Sequence, residues 1–301
     1  MAELAAVILA HSDPTHFRRL VRALPGVEVY LHCDAKTPKS VFHELVRDAP
    51  RNVHVLPRRA TALASWSLVS AELDGVRAAL STSRATHVAV LSGADYPVVS
   101  MDQLFSHLDS QGAHTYLKNA AMPFAPWNTP RHADGGLWRL EGRFLVVRDR
   151  VVYLGDIPLR IPGRRMVPAT LEFRASAHWK VYSREDATRL LEVAGERQDL
   201  VRFWRKTLVP EETFSASVLA TRSLAKGAVL RPDPHGAWYM RWPEKRAHHP
   251  EWLDGSDWEG IQAEQSRRAE AGIPPLLFAR KFSSQRSEQL LDLIDKCTGR
   301  F

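Results

Sequence analysis

The chain has 301 residues and an ordinary globular composition, since 45% of them are hydrophobic and 25% are charged. Only two cysteines occur, Cys33 and Cys297, which excludes a disulfide framework or a cysteine-based metal site and favours a reducing compartment. The formal net charge of +7 permits an anionic partner, either nucleic acid or a phosphate-bearing small molecule, although a solvated basic surface would give the same charge.

The N-terminus carries a short apolar run that Asp13 closely follows, with no basic segment before it. Such a run is too short to cross a bilayer and lacks the form of a signal peptide. It predicts a buried first strand. We therefore expect a soluble, cytoplasmic protein without stable membrane insertion.

Strands and helices alternate through the first hundred residues. Apolar runs predict strands at 5–11, 27–34, 52–57 and 86–97, and amphipathic runs predict helices at 14–24, 38–48, 66–82 and 101–110. Continuous apolar strands separated by helices are typical of a parallel sheet covered on both faces. The predicted fold class is therefore α/β, of the doubly wound kind.

In such a sheet, ligands bind beyond the carboxyl ends of the strands. This rule selects His11 and Ser12 after the first predicted strand, Asp34 after the second and Asp95 after the fourth. The first turn has no glycine-rich fingerprint, and the chain has no Walker loop. An ordinary dinucleotide or P-loop site is therefore disfavoured.

The region 112–170 is rich in proline, glycine and tryptophan, and it predicts loops or a lid. Its aromatic residues Trp127 and Trp138 can stack on sugar faces or simply plug a core. In the later chain the pattern predicts a strand at 171–183, a helix at 184–196 and a second helix from about Pro210. Short strands and turns are expected after residue 226, and a terminal helix at 285–298. No repeat or linker is visible, so a single domain over 1–301 is expected.

Pro210, Glu211 and Glu212 pose a question that local sequence leaves open. Proline suits the first turn of a helix, and acidic residues there favour the positive end of the helix dipole. A purely structural role is therefore one interpretation, and a catalytic carboxylate is the other.

Several short segments, in order along the chain, resemble the core-2/I-branching and peptide O-xylosyltransferase glycosyltransferases. They read AVILAHSD, VYLHCDAKTP, ASWSLVSAELDGVRAAL, LSGADYP, SAHWKVYSRE, VPEETF and LLFARKF. The resemblance implies a glycosyltransferase-A fold, with a nucleotide-binding half at 1–110 and an acceptor and catalytic half at 111–301. It also implies an inverting transfer that needs no metal, and the chain has no Asp-x-Asp metal clamp. Leu63 departs from the family pattern, because branching enzymes carry a tyrosine there.

The same resemblance assigns the reaction to a few residues. Glu212 would be the general base, and Glu211 its solvated or dipole-side neighbour. Lys281, or the adjacent pair of Arg280 and Lys281, would bind the leaving diphosphate in place of a metal. Arg241 is a second candidate for that role, with stacking on a neighbouring tryptophan as the structural alternative.

Donor and acceptor contacts follow from the resemblance as well. Asp34 would accept a hydrogen bond from uracil, with His11 and Ser12 beside it, and Asp95 would lie near the donor sugar or cap a turn. The acceptor wall is expected to include residues from the irregular middle, namely Trp138, Arg139, Glu141 and Trp179. His178 is expected to be a core histidine.

The predicted function is therefore inverting transfer of a sugar, N-acetylglucosamine or xylose, from a UDP-sugar to a carbohydrate, peptide or natural-product hydroxyl. No cofactor or metal is expected, and no nucleic-acid partner. One alternative is a transferase that uses another nucleotide sugar in bacterial natural-product or surface-glycan synthesis. The alternative of another class is a non-catalytic, basic nucleotide- or nucleic-acid-binding protein.

Overall fold

The computed structural model describes residues 2–225, 227–243 and 249–300. In chain order its strands are β1 Leu4–Ala10, β2 Glu28–Cys33, β3 Val53–Val55, β4 His87–Ser92, β5 Asp95–Pro97, β6 Asn119–Ala121, β7 Gly142–Phe144, β8 Val146–Val147, β9 Arg150–Val151, β10 Tyr153–Leu154, β11 Ile157–Pro158, β12 Arg160–Arg164, β13 Arg174–Ser176, β14 Lys180–Ser183, β15 Trp238–Met240 and β16 Phe278–Arg280.

Its α-helices are α1 Pro14–Arg22, α2 Lys39–Val46, α3 Trp66–Thr82, α4 Met101–Gln111, α5 Leu137–Glu141, α6 Arg184–Glu196, α7 Gln198–Trp204, α8 Phe214–Ala220, α9 Trp258–Glu270 and α10 Glu288–Cys297. Short 3₁₀ turns lie at Ala125–Trp127, Pro210–Glu212, Arg222–Leu224 and Gly255–Asp257.

The central sheet has the strand order β14-β4-β1-β2-β3. Strands β4, β1, β2 and β3 pair in parallel, and β14 lies antiparallel to β4. This confirms the predicted α/β class with a mostly parallel sheet. The single strand predicted at 171–183 is wrong, because β13 pairs with β6 in a separate sheet and only β14 joins the central one.

Helices cover both faces of the central strand, and all seven residues of β1 are buried. One face packs Ala6 and Ile8 against α1 and α10, and the other packs Val7 against α3. A Cβ on Gly75 of α3 would lie 2.3 Å from a methyl carbon of Val7, so only glycine permits this close helix–strand packing. Burial on both faces explains why these strands are continuous apolar runs.

Two predicted features of the later chain are wrong. The helix expected from about Pro210 begins instead at Phe214, because a 3₁₀ turn at Pro210–Glu212 precedes it and Val209 has a φ of 53°. Helix α9 was not predicted at all. Only Ile261 and Arg268 of that helix are buried, so its sequence carries little apolar periodicity.

A second sheet of order β15-β16-β5 brings the C-terminal region to the carboxyl end of β4. Strand β16 pairs antiparallel with β5, which places Arg280 opposite Asp95. The two regions treated as separate halves in the sequence therefore meet at the candidate site.

Candidate active site

The carboxylate of Asp34 is fixed just beyond the end of β2. The Thr61 hydroxyl donates to it at 2.6 Å, and the backbone N–H of Lys36 donates at 2.8 Å. Burial acts to raise the pKa of Asp34, but these hydrogen bonds and the Lys36 ammonium hold it below its ordinary value. Since β1 pairs with β2, the exposed residues His11 and Ser12 lie at the adjacent strand end.

Asp95 and Arg280 form a buried pair beside the end of β4. A guanidinium nitrogen of Arg280 lies 3.2 Å from the Asp95 carboxylate, and the two residues are 8% and 0% exposed. Burial raises the pKa of Asp95 to about 6, although the charge of Arg280 opposes that rise. Arg280 also lies 4.2 Å from the centre of the Trp179 ring, so Trp179 stands next to the predicted donor residues.

Lys281 lies in a different environment from its neighbour. Its ammonium is 4.4 Å from the centre of the Trp252 ring, and burial together with the charge of Arg280 lowers its pKa. Arg241 also contacts Trp252, because it donates to that residue's carbonyl at 3.0 Å. The Arg241 charge is compensated by Glu251 at 2.9 Å. Among the residues that the structure describes, no carboxylate forms an ion pair with Lys281.

Glu212 presents a carboxylate that is 36% exposed on the side chain. Arg139 donates to it at 3.0 Å, and the Arg139 guanidinium stacks 4.1 Å from the centre of the Trp127 ring. The Ser176 hydroxyl donates to the backbone carbonyl of Glu212 at 2.9 Å, which fixes the turn. Burial raises the pKa of Glu212, and Arg139 opposes this shift.

Glu211 is buried, with 3% exposure, so the expectation of a solvated neighbour is wrong, whereas its alternative, a place in the first turn, agrees with the structure. One carboxyl oxygen accepts from the Ala64 N–H at 2.8 Å, because the 3₁₀ turn points this side chain inward. Burial, reinforced by the charge of Glu212, raises its pKa to about 8. The two adjacent carboxyl groups therefore have different surroundings, because Glu211 is enclosed against the Ala64 N–H whereas Glu212 is partly exposed beside Arg139.

A buried polar network lies beneath these two glutamates. The Lys180 ammonium, which is 0% exposed, lies 3.2 Å from the Glu72 carboxylate, and the Tyr182 hydroxyl donates to the same carboxylate at 2.7 Å. Burial would raise the pKa of Glu72, but Lys180, His178 and Tyr182 hold it at about 2. His178 is buried in this network, in agreement with the predicted core role. The sequence analysis did not single out Lys180, although a lysine within an apolar strand could have indicated a buried ion pair.

The proposed acceptor wall is only partly assembled. Trp138 is half-buried and stacks on His132 at 4.3 Å between ring centres. Glu141 lies 3.2 Å from Arg164 on an exposed strand. Tyr153 was not predicted; burial and the charge of nearby Glu211 raise its pKa.

One short segment, 176–180, connects the donor and acceptor groups. Ser176 contacts Glu212, and Trp179 contacts Arg280. The backbone from Ser176 to Trp179 spans at most about 10 Å. This segment therefore links the residue that holds the Glu212 turn to the residue that packs on Arg280.

One cavity lies away from the candidate site. A cavity of about 660 Å³ opens at the opposite edge of the sheet, where Thr86 and Arg184 flank the amino ends of the strands, and no predicted site residue lines it. Within the described ranges, no three His, Cys, Asp or Glu side chains are grouped to hold a metal. The described helices also include none with the length and apolarity to cross a membrane.

Comparison with known proteins decides the family. The model of the core-2/I-branching enzymes matches residues 4–268. The chain belongs to the core-2/I-branching enzyme family. The resemblance predicted from the sequence segments is thereby confirmed. The family match ends before Arg280 and Lys281, so their assignment depends on the local geometry and on the segment resemblance.

Similar proteins within the curated set are xylosyltransferases. Xylosyltransferase 2 of Rattus norvegicus is 24% identical over 315 residues, which cover 98% of this chain and 33% of that protein. Xylosyltransferase 1 of Homo sapiens is 25% identical over 311 residues, which cover 97% of this chain and 30% of that protein. This branching-family chain therefore spans about a third of the length of those relatives.

Among solved structures, HddC from Yersinia pseudotuberculosis aligns with a TM-score of 0.29 at 13% identity, over 61% of this chain and 78% of that chain. The fold class therefore rests on the strand order of the protein itself.

Proposed function

We propose that this protein is an inverting glycosyltransferase of the glycosyltransferase-A type. It would move a sugar, N-acetylglucosamine or xylose, from a UDP-sugar to an acceptor hydroxyl without a metal. The observation that carries the proposal is the carboxyl pair, in which Glu212 is partly exposed and held by Arg139 while Glu211 is buried. Membership of the branching family and the nearby cationic residues support the same chemistry.

The reaction needs one base. The acceptor oxygen attacks the anomeric carbon, the bond from that carbon to the diphosphate breaks on the opposite face, and Glu212 takes the hydroxyl proton. Arg139 keeps Glu212 oriented and ionised until the proton arrives. A raised pKa brings Glu212 nearer to neutral pH, where a general base works best.

The leaving diphosphate needs positive charge, and Lys281 is the better placed of the two adjacent cations. Arg280 is already paired with Asp95, whereas the Lys281 ammonium packs on the Trp252 ring and forms no ion pair with any carboxylate in the part of the chain that the structure describes. Fixed cations aimed at a leaving group stabilise its developing charge. Arg280 would then act mainly by holding Trp179 and the β5–β16 pairing in position.

Lys281→Ala is expected to weaken UDP binding by about 10- to 100-fold, because it removes a hydrogen bond to a charged group. Isothermal titration calorimetry with UDP measures the change. Lys296→Ala is the matched control, since that exposed lysine lies in the last turn of α10. Equal affinities for wild type and Lys281→Ala would remove Lys281 from the diphosphate site.

Metal independence stays a prediction. Turnover is expected to remain within about twofold of its starting value after EDTA treatment, because protein cations replace the metal in stabilising the leaving group. The measurement is the rate with EDTA and then with added manganese. Activity that collapses in EDTA and returns with manganese would contradict the proposal.

A panel of nucleotide sugars tests the function itself, read first for hydrolysis and then for transfer. UDP-N-acetylglucosamine and UDP-xylose are expected to turn over, since the fixed Asp34 carboxylate can accept the N–H of uracil. Stronger stabilisation by TDP or GDP would favour a transferase with another donor. Indifference to all nucleotides, with steeply salt-dependent nucleic-acid binding, would favour the non-catalytic alternative.

A further inference from the structure

The small strands between residues 143 and 161 have apolar side chains on both faces. Their inner face packs Phe144 and Val151, which are 4% and 7% exposed, onto Ala64 and Leu208. An antiparallel strand with one solvated face normally alternates apolar and polar residues. The outward positions here break that rule.

Strand register shows which side chains point outward. Leu154 pairs with Ile157 across the β10–β11 hairpin, and Ile161 pairs with Arg143 across β7–β12. Cross-strand partners share a face. The outward side chains form what we call the apolar face, with exposures of 39% for Leu145, 54% for Val147, 72% for Leu154, 54% for Ile157 and 44% for Ile161.

Positive charge borders this apolar face. Residues 143–166 contain six arginines and two aspartates, a net charge of +4 within a chain whose total is +7. Arg160 and Arg164 pair with Phe144 and Gly142 and so lie on the inner side, whereas Arg143 pairs with the outward Ile161. We call the exposed residues Arg143 and Arg148 the arginine rim, since Arg148 directly follows the outward Val147. Exposed apolar residues that occur together beside basic groups fit a membrane surface, which is anionic at its headgroups and apolar beneath them.

We propose that the apolar face and its arginine rim dock this protein onto an anionic lipid bilayer. The apolar side chains enter the boundary between headgroups and acyl chains, and the guanidinium groups bind the lipid phosphates. A second copy of the chain is disfavoured as the occupant, because a two-fold contact would set one arginine rim against another.

Docking in this orientation has a consequence for the site. Tyr153 pairs with Pro158 and so lies on the opposite side of the hairpin from Leu154, close to Glu211. The bilayer surface would therefore lie just beyond the candidate acceptor side. That consequence rests on the proposed function, whereas the docking itself does not.

Cosedimentation of the full chain with vesicles tests the proposal without any nucleotide sugar. Binding is expected to vesicles of phosphatidylcholine mixed with phosphatidylglycerol, to fall as salt rises, and to be absent with phosphatidylcholine alone. Leu154→Ser combined with Ile157→Ser should lower partitioning by about 10-fold or more. Arg143→Gln combined with Arg148→Gln should lower it by about 25-fold, since each basic group contributes about fivefold.

Matched controls exist elsewhere on the surface. Val55→Ser removes an apolar side chain that is 44% exposed on β3. Arg22→Gln combined with Arg47→Gln removes two exposed arginines, one in α1 and one directly after α2. Both controls should bind vesicles like the wild type. The proposal is wrong if the wild type ignores anionic vesicles, or if the controls lose as much binding as the variants of the proposed surface. A concentration-dependent dimer that Leu154→Ser dissociates would instead identify an interface between copies and also overturn it.

Discussion

Glu212→Gln is expected to lower kcat by about 100-fold or more, because the amide cannot take the proton of the acceptor hydroxyl. UDP affinity should stay within about twofold, since glutamine keeps the size of the side chain and can still accept a hydrogen bond from Arg139. Initial rates over a range of acceptor concentrations, together with calorimetric UDP titration, measure both quantities.

Glu211→Gln is the matched control for that experiment. Glu211 already holds a proton at neutral pH, so glutamine resembles its native state and still accepts from the Ala64 N–H. Its kcat should remain within about fivefold of the wild-type value. A large loss of kcat in Glu211→Gln with little change in Glu212→Gln would identify Glu211 as the base. Normal turnover by Glu212→Gln would by itself remove Glu212 from the mechanism.

Lys180→Met should destabilise the protein by about 3–5 kcal/mol, because it leaves the Glu72 carboxylate buried without its ammonium partner. Chemical denaturation at neutral pH measures the free energy of unfolding. Lys36→Met is the exposed comparison, and its effect should stay within about 0.5 kcal/mol since that ammonium is 57% exposed.

The pH dependence of the Lys180→Met effect gives a second readout. In the wild type the pKa of Glu72, about 2, lies below its ordinary value of 4.5, so its stabilising contribution is present above about pH 4.5 and is lost as pH falls towards 2. Without Lys180, burial raises the pKa of Glu72, so the cost of burying its unpaired carboxylate falls as acid protonates it. The difference in the free energy of unfolding between the wild type and Lys180→Met should therefore become smaller in acid, and Glu72→Gln should partly restore the stability of the variant at neutral pH. A difference that is constant with pH would instead assign the lost stability to packing.

The sequence predicted the elements whose signal is local. Helices α3 and α6 begin and end where the sequence pattern indicated, in α6 with acidic residues in the first turn. Strands β1, β2 and β4 appear as continuous apolar runs. Helix α9 escaped prediction because it buries little apolar surface. The division of 171–183 into two strands depends on pairing with β6 and β4, which lie far away in the chain.

Local sequence does not contain the partners that set each candidate residue's chemistry. The sequence left Glu211 as a solvated or dipole-side neighbour, whereas the Ala64 N–H and the 3₁₀ turn hold it inside. It assigned the diphosphate to Lys281 or to the pair of Arg280 and Lys281, whereas strand pairing sets Arg280 against Asp95. Such differences come from tertiary contacts across more than a hundred residues, which local pattern does not contain.

The most direct test of metal-free transfer by Glu212 and Lys281 is a crystal structure of the protein with UDP, grown in EDTA. We expect uracil at the Asp34 carboxylate and diphosphate oxygens within hydrogen-bond distance of the Lys281 ammonium, with the Glu212 carboxylate facing the space next to the diphosphate. UDP bound at the opposite edge of the sheet, against Arg184, or a metal ion between protein and diphosphate, would contradict the account.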